Sequence, residues 1–347
     1  MTTPRETSLY KTLPLASDLK ARRRYMIVDE PIVGNFRFGL LLEDLDIMAE
    51  QAALGYARSI HPDAKVVTAA IDNIIVRHVV DNDRDIRIDA RINHVGRSSM
   101  VVGMRVEHTG DPATHIASCY FTMVARGGES AEESRVLPPL EYRDELEKHR
   151  AEKSMQEREQ YRQQQAAQQE APSREEYELL HQLHTAQDQP GFNGIKADSL
   201  VVESWERMYP EQEYVPHRIF GGYIIRRAYE LSSMCAELIA PDRALIAAVN
   251  RINFFHPVRL GDKLHYTCRV VYTCDSFVCV EAGIERISRD RNSKALSNSC
   301  LFTFVNVDST LQHQPVPGIY PTTYAEDARY LAAFRSHRAM VKHYDLI

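Results

Sequence analysis

The strongest constraint on the fold is an internal duplication, because the same order of segments occurs twice at an offset of about 180 residues. In each copy an aromatic residue and a glycine open an apolar stretch with helical spacing, which predicts helices at Leu40–Ser59 and Tyr223–Ile239. A β-like run follows each helix, at 66–72 and 245–250. The repeat predicts two domains of the same fold.

Segments with alternating apolar and polar residues follow in both copies, which is typical of half-buried strands. The strands predicted in this way lie at 86–92, 100–107, 264–272 and 277–285. Each copy closes on one more apolar strand, at 119–124 and 300–305. No alternating βαβ pattern is present, so a Rossmann or barrel fold is disfavoured. We predict an α+β chain of tandem hotdog domains, each a central helix wrapped by a curved antiparallel sheet.

A polar connector separates the two copies. Its first part, Tyr142–Gln169, is rich in helix formers and poor in apolar residues, which predicts a solvated helix or a partly mobile segment. The predicted organisation is a lead-in at 1–25, a first hotdog domain at 26–127, the connector at 128–197, and a second hotdog domain with a C-terminal tail at 198–347. Two hotdogs in one chain would form the two-fold pair that single-domain versions make by dimerising.

The composition narrows the classes of function. Hydrophobic residues make up 44% and charged residues 26%, as in globular proteins. The net charge of -6 supplies no basic field, so no nucleic-acid partner is predicted. No apolar run approaches the roughly 20 residues of a membrane span. The six cysteines include no CxxC pair, which favours reduced core thiols, and neither a metal nor a cofactor is predicted.

Basic residues outnumber acidic ones over the first 25 positions, and no continuous apolar core of a secretory signal is present. A basic start that contains Ser and Thr fits mitochondrial import and an ordinary solvated lead-in equally well. We predict a mitochondrial location and keep a cytoplasmic one as the alternative.

Two stretches at the predicted helix starts carry a family resemblance. Arg37–Asp46 reads RFGLLLEDLD, and Arg218–Leu231 reads RIFGGYIIRRAYEL. Together with the segments 13–25, 95–100 and 121–126, they resemble the mitochondrial-type acyl-CoA thioesterases with two hotdog domains, of the acyl-coenzyme A thioesterase nine group. The resemblance covers almost everything outside the connector.

The resemblance implies an acyl-CoA substrate, hydrolysis to free fatty acid and CoA, and no metal. It also implies a homo-oligomer, with three double-hotdog chains as one arrangement. Hotdog thioesterases place a carboxylate on one helix opposite an Asn and a Gly-rich helix start on the other domain. This chain departs from that pattern, since His217 replaces the expected Asn and Tyr229 aligns with Asp46.

Thioester hydrolysis needs a base or nucleophile for the carbonyl carbon and donors for the oxygen that becomes negative. Asp46 is the candidate for the first role, because the helical spacing places it at the edge of an apolar stripe. A carboxylate there is costly unless it is paired or used. The alternative is a flanking aspartate paired with a base. Glu43, Asp44 and Glu50 are predicted to be solvated.

The second copy offers the complementary groups. Gly221 and Gly222 open a helix, so their free amides are predicted to polarise the thioester oxygen, although Gly-Gly also fits a simple turn. His217 would donate a hydrogen bond or orient water, or else be structural.

A reciprocal site would combine Asn35 and Phe38-Gly39 with Tyr229 or Glu230. Because Tyr229 cannot act as a carboxylate base and only one glycine opens the first helix, one competent site per chain is predicted. Asn35 also fits a helix cap.

The first hairpin turn is suited to the CoA phosphates. Arg97 offers a guanidinium, and Ser98 and Ser99 add hydroxyl donors, whereas the matching turn of the second copy lacks an arginine. An ordinary turn with an exposed arginine remains the alternative.

Two other functions fit the same fold. The changes at His217 and Tyr229 are compatible with a non-catalytic acyl-CoA-binding or assembly protein. A hydratase or dehydratase would use His217 as base near Asp46.

Overall fold

The computed structural model describes residues 2–128, 133–167, 170–215 and 218–344. The chain forms two compact units. The first comprises Met1–Gln160, Phe220–Arg226 and Ile252–Phe254, and the second comprises Tyr161–Ile219, Arg227–Arg251 and Phe255–Ile347. The beginning of the second copy's helix therefore belongs to the first unit.

The first unit is a helix packed on an antiparallel sheet. Its helices are α1 (Leu19–Tyr25), α2 (Phe38–Ile60) and most of α3 (Glu145–Ala167). Its strands are β1 (Leu9–Leu13), β2 (Lys65–Ile71), β3 (Ile74–Ile75), β4 (Ile86–Val95), β5 (Ser99–His108), β6 (Thr114–Gly127) and β7 (Glu133–Ser134). The sheet order is β1-β4-β5-β6-β2, and every one of these pairings is antiparallel.

Helix α2 is buried over most of its circumference, as expected for a helix that a sheet wraps. Leu41, Ala49 and Ala53 are completely buried. The three inner strands β4, β5 and β6 all contact the helix, and so does β2. The core of the unit therefore lies between α2 and the concave face of the sheet.

The second unit repeats this arrangement. Its helices are α4 (Arg174–Gln187), most of α5 (Gly221–Ala236) and α6 (Tyr324–Tyr344). Its strands are β8 (Ile195–Lys196), β9 (Val201–Arg207), β10 (Glu213–Val215), β11 (Arg218–Ile219), β12 (Arg243–Phe254), β13 (Lys263–Cys274), β14 (Phe277–Ile287), β15 (Lys294–Val307) and β16 (Ile319–Tyr320). Short 3-10 helices lie at Pro4–Thr7, Ala197–Ser199 and Pro210–Gln212.

The main sheet of the second unit has the order β12-β15-β14-β13-β9. Its two longest pairings, β13 with β14 and β14 with β15, are antiparallel. Helix α5 packs on β13, where the Cys235 sulfur lies 3.4 Å from the Cys268 carbonyl and Ser232 donates to the Cys268 sulfur at 3.5 Å. All six cysteines are free thiols. Both predicted helices and the predicted hairpins are therefore present.

The connector is more ordered than its polarity predicts. Helix α3 covers most of the predicted 142–169 segment, but it is not simply solvated, because Glu147, Ala151 and Ser154 are buried along one stripe. A second helix, α4, was not predicted. It begins at a capping box in which Ser173 accepts from the Glu176 amide and the Glu176 carboxylate accepts from the Ser173 amide.

The C-terminal tail predicted after the last strand is the helix α6. Arg335 on this helix makes a bidentate ion pair with Glu176, at 2.6 and 2.7 Å, and also donates to backbone carbonyls before α4. The pair ties α6 to α4 within the second unit. Within the described ranges, no helix is long and apolar enough to cross a membrane.

Candidate active site

Asp46 lies in the middle of α2 with only 1% of its surface exposed. The Thr68 hydroxyl on β2 donates to Asp46 Oδ1 at 2.7 Å, and the Gly222 amide donates a backbone hydrogen bond to the same carboxylate. Burial raises the pKa of Asp46 to about 6, although both hydrogen bonds oppose that shift. The Asp46 carboxylate is therefore desolvated and oriented by two donors, and its pKa is about one unit below neutral pH.

The two glycines at the start of α5 lie against Asp46, and the space for an added side chain is tighter at Gly222 than at Gly221. A Cβ on Gly222 would lie 2.6 Å from the Phe220 ring and 3.2 Å from Asp46 Cβ, and one on Gly221 would lie 3.4 Å from Asp46 Oδ2. The absence of side chains thus allows the first turn of α5 to approach the carboxylate. Amides of a first helical turn have no partner inside the helix and carry the positive end of its dipole.

A salt bridge lies beside this contact. Arg226 Nη1 is 2.9 Å from Glu43 Oε2, and both side chains are mostly shielded from solvent. Glu43 precedes Asp46 by one helical turn, whereas Arg226 follows Gly222 by one turn. The two links therefore hold α2 and the first turn of α5 antiparallel at the site.

The prediction that Glu43, Asp44 and Glu50 are solvated is wrong for Asp44 and Glu50, which are buried, and Glu43 is half-buried. Asp44 is buried, accepts from Lys11 Nζ at 2.6 Å, and accepts a short hydrogen bond from the Tyr25 hydroxyl. Glu50 is also buried, at 6% exposure. The reason is that the wrapped sheet and the N-terminal segment cover α2 on several sides, so the helix has no broad solvent face.

The structure places the first hairpin turn between the end of β4 and the start of β5. Arg97 is exposed, and Ser98 and Ser99 are half-buried. Ser99 pairs with Val124, which in turn pairs with Val67, the residue before Thr68. Because neighbouring strands lie about 4.8 Å apart, Ser99 is roughly 10 Å from Val67 across the sheet. The first residue of β5 after the turn therefore lies in the same row of the sheet as the residue next to Thr68, which binds the Asp46 carboxylate.

Asn35 is not the cap of α2. The N-cap residue is Arg37, which makes no side-chain cap hydrogen bond. The Asn35 side chain instead accepts from the amides of Ile27 and Val28 and donates to the carbonyls of Val28 and Glu30. The Asn35 side chain therefore stabilises the loop before α2, because all four of these hydrogen bonds are made with backbone groups of residues 27–30.

The remaining predicted site positions are His217 and Tyr229. His217 lies outside the described residues. Tyr229 is 8% exposed on α5 and packs within the second unit, with ring centroids 5.6 Å from Phe302 and 5.9 Å from Phe304. Its pKa is raised far above the usual range by burial, so the phenol stays neutral. Within the described ranges no cluster of metal-binding side chains is present.

The family follows from comparison with known proteins. The model of the Thioesterase superfamily matches residues 47–114 and 217–291, one segment in each copy. An uncharacterized acyl-CoA thioester hydrolase from Zymomonas mobilis is 30% identical over 112 residues, which are 32% of this chain and 74% of that protein. The chain belongs to the Thioesterase superfamily. The predicted family, the tandem hotdog fold and the hydrolase class are confirmed.

Longer relatives match nearly the whole thioesterase chain. Mitochondrial acyl-coenzyme A thioesterase 9 from Mus musculus is 27% identical over 97% of this chain and 78% of its own length. Its counterpart from Homo sapiens is 28% identical over 94% of this chain and 76% of its own length.

Two residues that lie around Asp46 were not singled out from the sequence, namely Thr68 and Arg226. Thr68 was assigned only to a strand, although a hydroxyl residue within an apolar strand is a weak signal for a buried acceptor nearby. Arg226 lies in the stretch that carries the family resemblance, but its ion pair with Glu43 depends on the packing of α5 against α2, which periodicity alone does not give.

Proposed function

We propose that this thioesterase hydrolyses acyl-CoA to a free fatty acid and CoA. The observation that carries the proposal is the buried carboxylate of Asp46, held by the Thr68 hydroxyl beside the glycine-rich start of α5. The names of the matched relatives, which are acyl-CoA thioesterases or thioester hydrolases, support the choice of substrate.

In the proposed mechanism, Asp46 accepts a proton from water as the water oxygen bonds to the thioester carbonyl carbon. The carbon–sulfur bond then breaks, and the leaving thiolate takes up the proton, which yields CoA thiol and fatty acid. A base with a pKa of about 6 is mostly ionised at pH 7 and still basic enough to assist. Thr68 keeps Oδ1 in place during this transfer.

The backbone amides of Gly221 and Gly222 have different roles in this proposal. The Gly222 amide already donates to Asp46, so it positions the base. The Gly221 amide is assigned to the oxygen that becomes negative, where a preorganised donor lowers the barrier. His217 keeps its predicted role of orienting the water or donating to the substrate.

The turn residues Arg97, Ser98 and Ser99 are proposed to bind the CoA phosphates. The exposure of Arg97 leaves its guanidinium accessible to a nucleotide, and the strand register sets the turn about 10 Å from the Thr68 strand. Asn35 contributes by shaping the loop before α2 rather than by direct contact.

Replacing Arg97 with alanine is expected to raise the Michaelis constant for acyl-CoA several-fold at low salt while kcat and the melting temperature stay unchanged. The side chain supplies charge at an exposed turn and no core packing. The effect should shrink at high salt, because charge contacts are screened. Arg105→Ala, on an exposed part of β5, is the control. An equal Michaelis constant for Arg97→Ala and its parent at low salt would leave Arg97 as an ordinary turn residue.

The pH profile of kcat/KM should rise through about pH 6. Asp46 must be ionised to accept the proton, and burial raises its pKa to about 6. Steady-state rates between pH 4.5 and 7.5 test this expectation. A profile that is flat across this range would contradict Asp46 as the base.

One competent active site per chain is proposed. The reciprocal position is occupied by Tyr229, whose phenol is neutral and packed against two phenylalanines, so it supplies no base. Titration with a non-hydrolysable acyl-CoA thioether should therefore abolish activity at one equivalent per chain. Loss of activity only at two equivalents would contradict a single site.

Release of CoA thiol from acyl-CoAs of two to eighteen carbons tests the proposed function against its alternatives. Saturable thiol release supports hydrolysis. Tight binding without release supports the non-catalytic acyl-CoA-binding or assembly protein. Loss of enoyl absorbance from a 2-enoyl-CoA without thiol release supports the hydratase or dehydratase.

We also propose a mitochondrial location, which the names of the mouse and human relatives support, with the cytoplasm as the alternative. A homo-oligomer, with three double-hotdog chains as the leading arrangement, is proposed for the assembly. Light scattering of the full chain would measure its mass.

A further inference from the structure

Three buried carboxyl groups lie on α2, and their surroundings differ. Asp44 is bonded to Lys11 and Tyr25, and Asp46 is bonded to Thr68 and Gly222. Glu50 is buried to the same extent as Asp44, yet within the described part of the chain it has neither a hydrogen bond nor an ion pair. The Glu50 oxygens are not among the fully enclosed side-chain atoms that lack a partner, so they keep a small contact with solvent and can bind a group that the folded chain alone does not supply.

The position of Glu50 relative to Asp46 identifies that group. Residues four apart on a helix have Cβ atoms about 6 Å apart on the same face. Among the described contacts, no direct hydrogen bond joins the two carboxyl groups. Glu50 is nevertheless close enough to Asp46 for the charge of Asp46 to raise the pKa of Glu50. The spacing is suited to one water molecule between them.

We infer that Glu50 is a second residue of the catalytic site, which binds the attacking water opposite Asp46. The inference rests on the proposed hydrolysis. One hydrogen of the water is donated to Asp46 and the other to a carboxyl oxygen of Glu50, which leaves a lone pair directed at the thioester carbon. Asp46 takes its proton as the carbon–oxygen bond forms and returns it to the leaving thiolate. Glu50 keeps its own proton throughout.

Charge explains why Glu50 acts in its neutral form. Burial and the neighbouring Asp46 raise the pKa of Glu50 to about 8, against a smaller opposing effect of Arg58. Around this pair, β2 presents the uncharged Thr68, and the α5 segment presents Arg226, which is paired with Glu43. Two nearby buried carboxylates do not both ionise readily, so Asp46 carries the charge and Glu50 the proton at neutral pH.

Two variants of Glu50 test the inference. Glu50→Leu removes the water contact and should lower kcat about 100-fold, within the range for misplacing a reactant. Glu50→Gln keeps a neutral hydrogen-bonding group and should recover most of that loss. The decline of kcat above about pH 8, caused by ionisation of Glu50 in the parent, should be absent in Glu50→Gln. Asp44→Asn, on the opposite face of α2, is the control and should keep the parental alkaline limb.

The outcomes separate this inference from the proposed function. A parent that releases no CoA thiol contradicts both. A parent that is active while Glu50→Leu keeps full turnover overturns only the role of Glu50. An alkaline limb unchanged in Glu50→Gln, or equal inactivity of the folded Gln and Leu variants, overturns the neutral water-binding role.

A second measurement is independent of turnover. The folded-state pKa of Glu50 is raised, so its contribution to stability is complete below the unfolded value near 4.5 and is lost as pH rises through about 8. The parent should therefore lose stability relative to Glu50→Gln over that window. A stability difference that does not change with pH would contradict a buried neutral Glu50.

Discussion

Asp46→Asn is expected to slow acyl-CoA hydrolysis by roughly 10²–10⁴-fold, the range for loss of a general base. The asparagine side chain has nearly the same size, and its oxygen can still accept the hydrogen bond that Thr68 donates to Oδ1. Substrate binding should therefore survive. Stopped-flow measurement of CoA thiol release, with the melting temperature of each protein, tests the expectation.

The same variant should be more stable than its parent at neutral pH. The folded-state pKa of Asp46 is raised, so its stabilising contribution is present below the unfolded value of 3.8 and is lost as pH rises through about 6. The difference above pH 7 is expected to be up to about 3 kcal/mol, at 1.36 kcal/mol for each pKa unit. A variant that is both active and unchanged in stability would contradict the assignment of Asp46.

Asp44→Asn is the matched control for Asp46→Asn. Because Asp44 is buried and bonded to Lys11 and Tyr25, the change should lower the melting temperature. Its side chain is on the other face of α2, so turnover of the folded protein should remain near the parental value. Equal loss of activity in both variants would indicate a general effect on α2.

Gly222→Ala is expected to lower kcat/KM about 100-fold in a folded protein. The added methyl group would lie 2.6 Å from the Phe220 ring and 3.2 Å from Asp46 Cβ. The nearest ring atoms are the far end of a flexible side chain, whereas the Asp46 carboxylate is held by Thr68, so we expect the first turn of α5 to shift away from Asp46. A displacement near 1 Å in a catalytic site costs about that factor.

Gly55→Ala is the control for Gly222→Ala, since Gly55 is an exposed position of α2 with no atom within 4 Å of the added Cβ. This change should raise the free energy of unfolding by about 0.8–1.0 kcal/mol through helix propensity. Its kcat/KM should equal that of the parent. If Gly222→Ala also kept parental kcat/KM, the close approach of α5 to Asp46 would have no catalytic role.

The duplication predicted the fold well because it depends on periodicity, which is a local property of the sequence. The hairpins predicted at 86–107 and 264–285 lie within one or two residues of their observed ends. The helices α4 and α6 were missed for different reasons. The capping box at Ser173 is a sequence signal for the start of α4, whereas α6 has only weak apolar periodicity, so its pattern does not predict a helix.

The chemistry of α2 could be predicted only in part. Asp46 was found because a carboxylate interrupts an apolar stripe, and the resemblance pointed to the same residue. The solvent exposure assigned to Asp44 and Glu50 was wrong, since it assumed that a helix has a free face. Helix α2 is buried on several sides because the sheet wraps around it and because β1 and α1 pack on it. These are long-range contacts, which a local sequence pattern does not predict.

A single-turnover reaction in H₂¹⁸O, with enzyme in excess over acyl-CoA, tests the central claim that Asp46 activates water for direct attack on the thioester. Mass spectrometry would measure the label in the released fatty acid and in the tryptic peptide Phe38–Arg58, which contains Asp46. The account predicts one ¹⁸O in the fatty acid and none in the peptide. Label in the peptide, with an unlabelled fatty acid, would show that Asp46 attacks the thioester itself and would contradict the account.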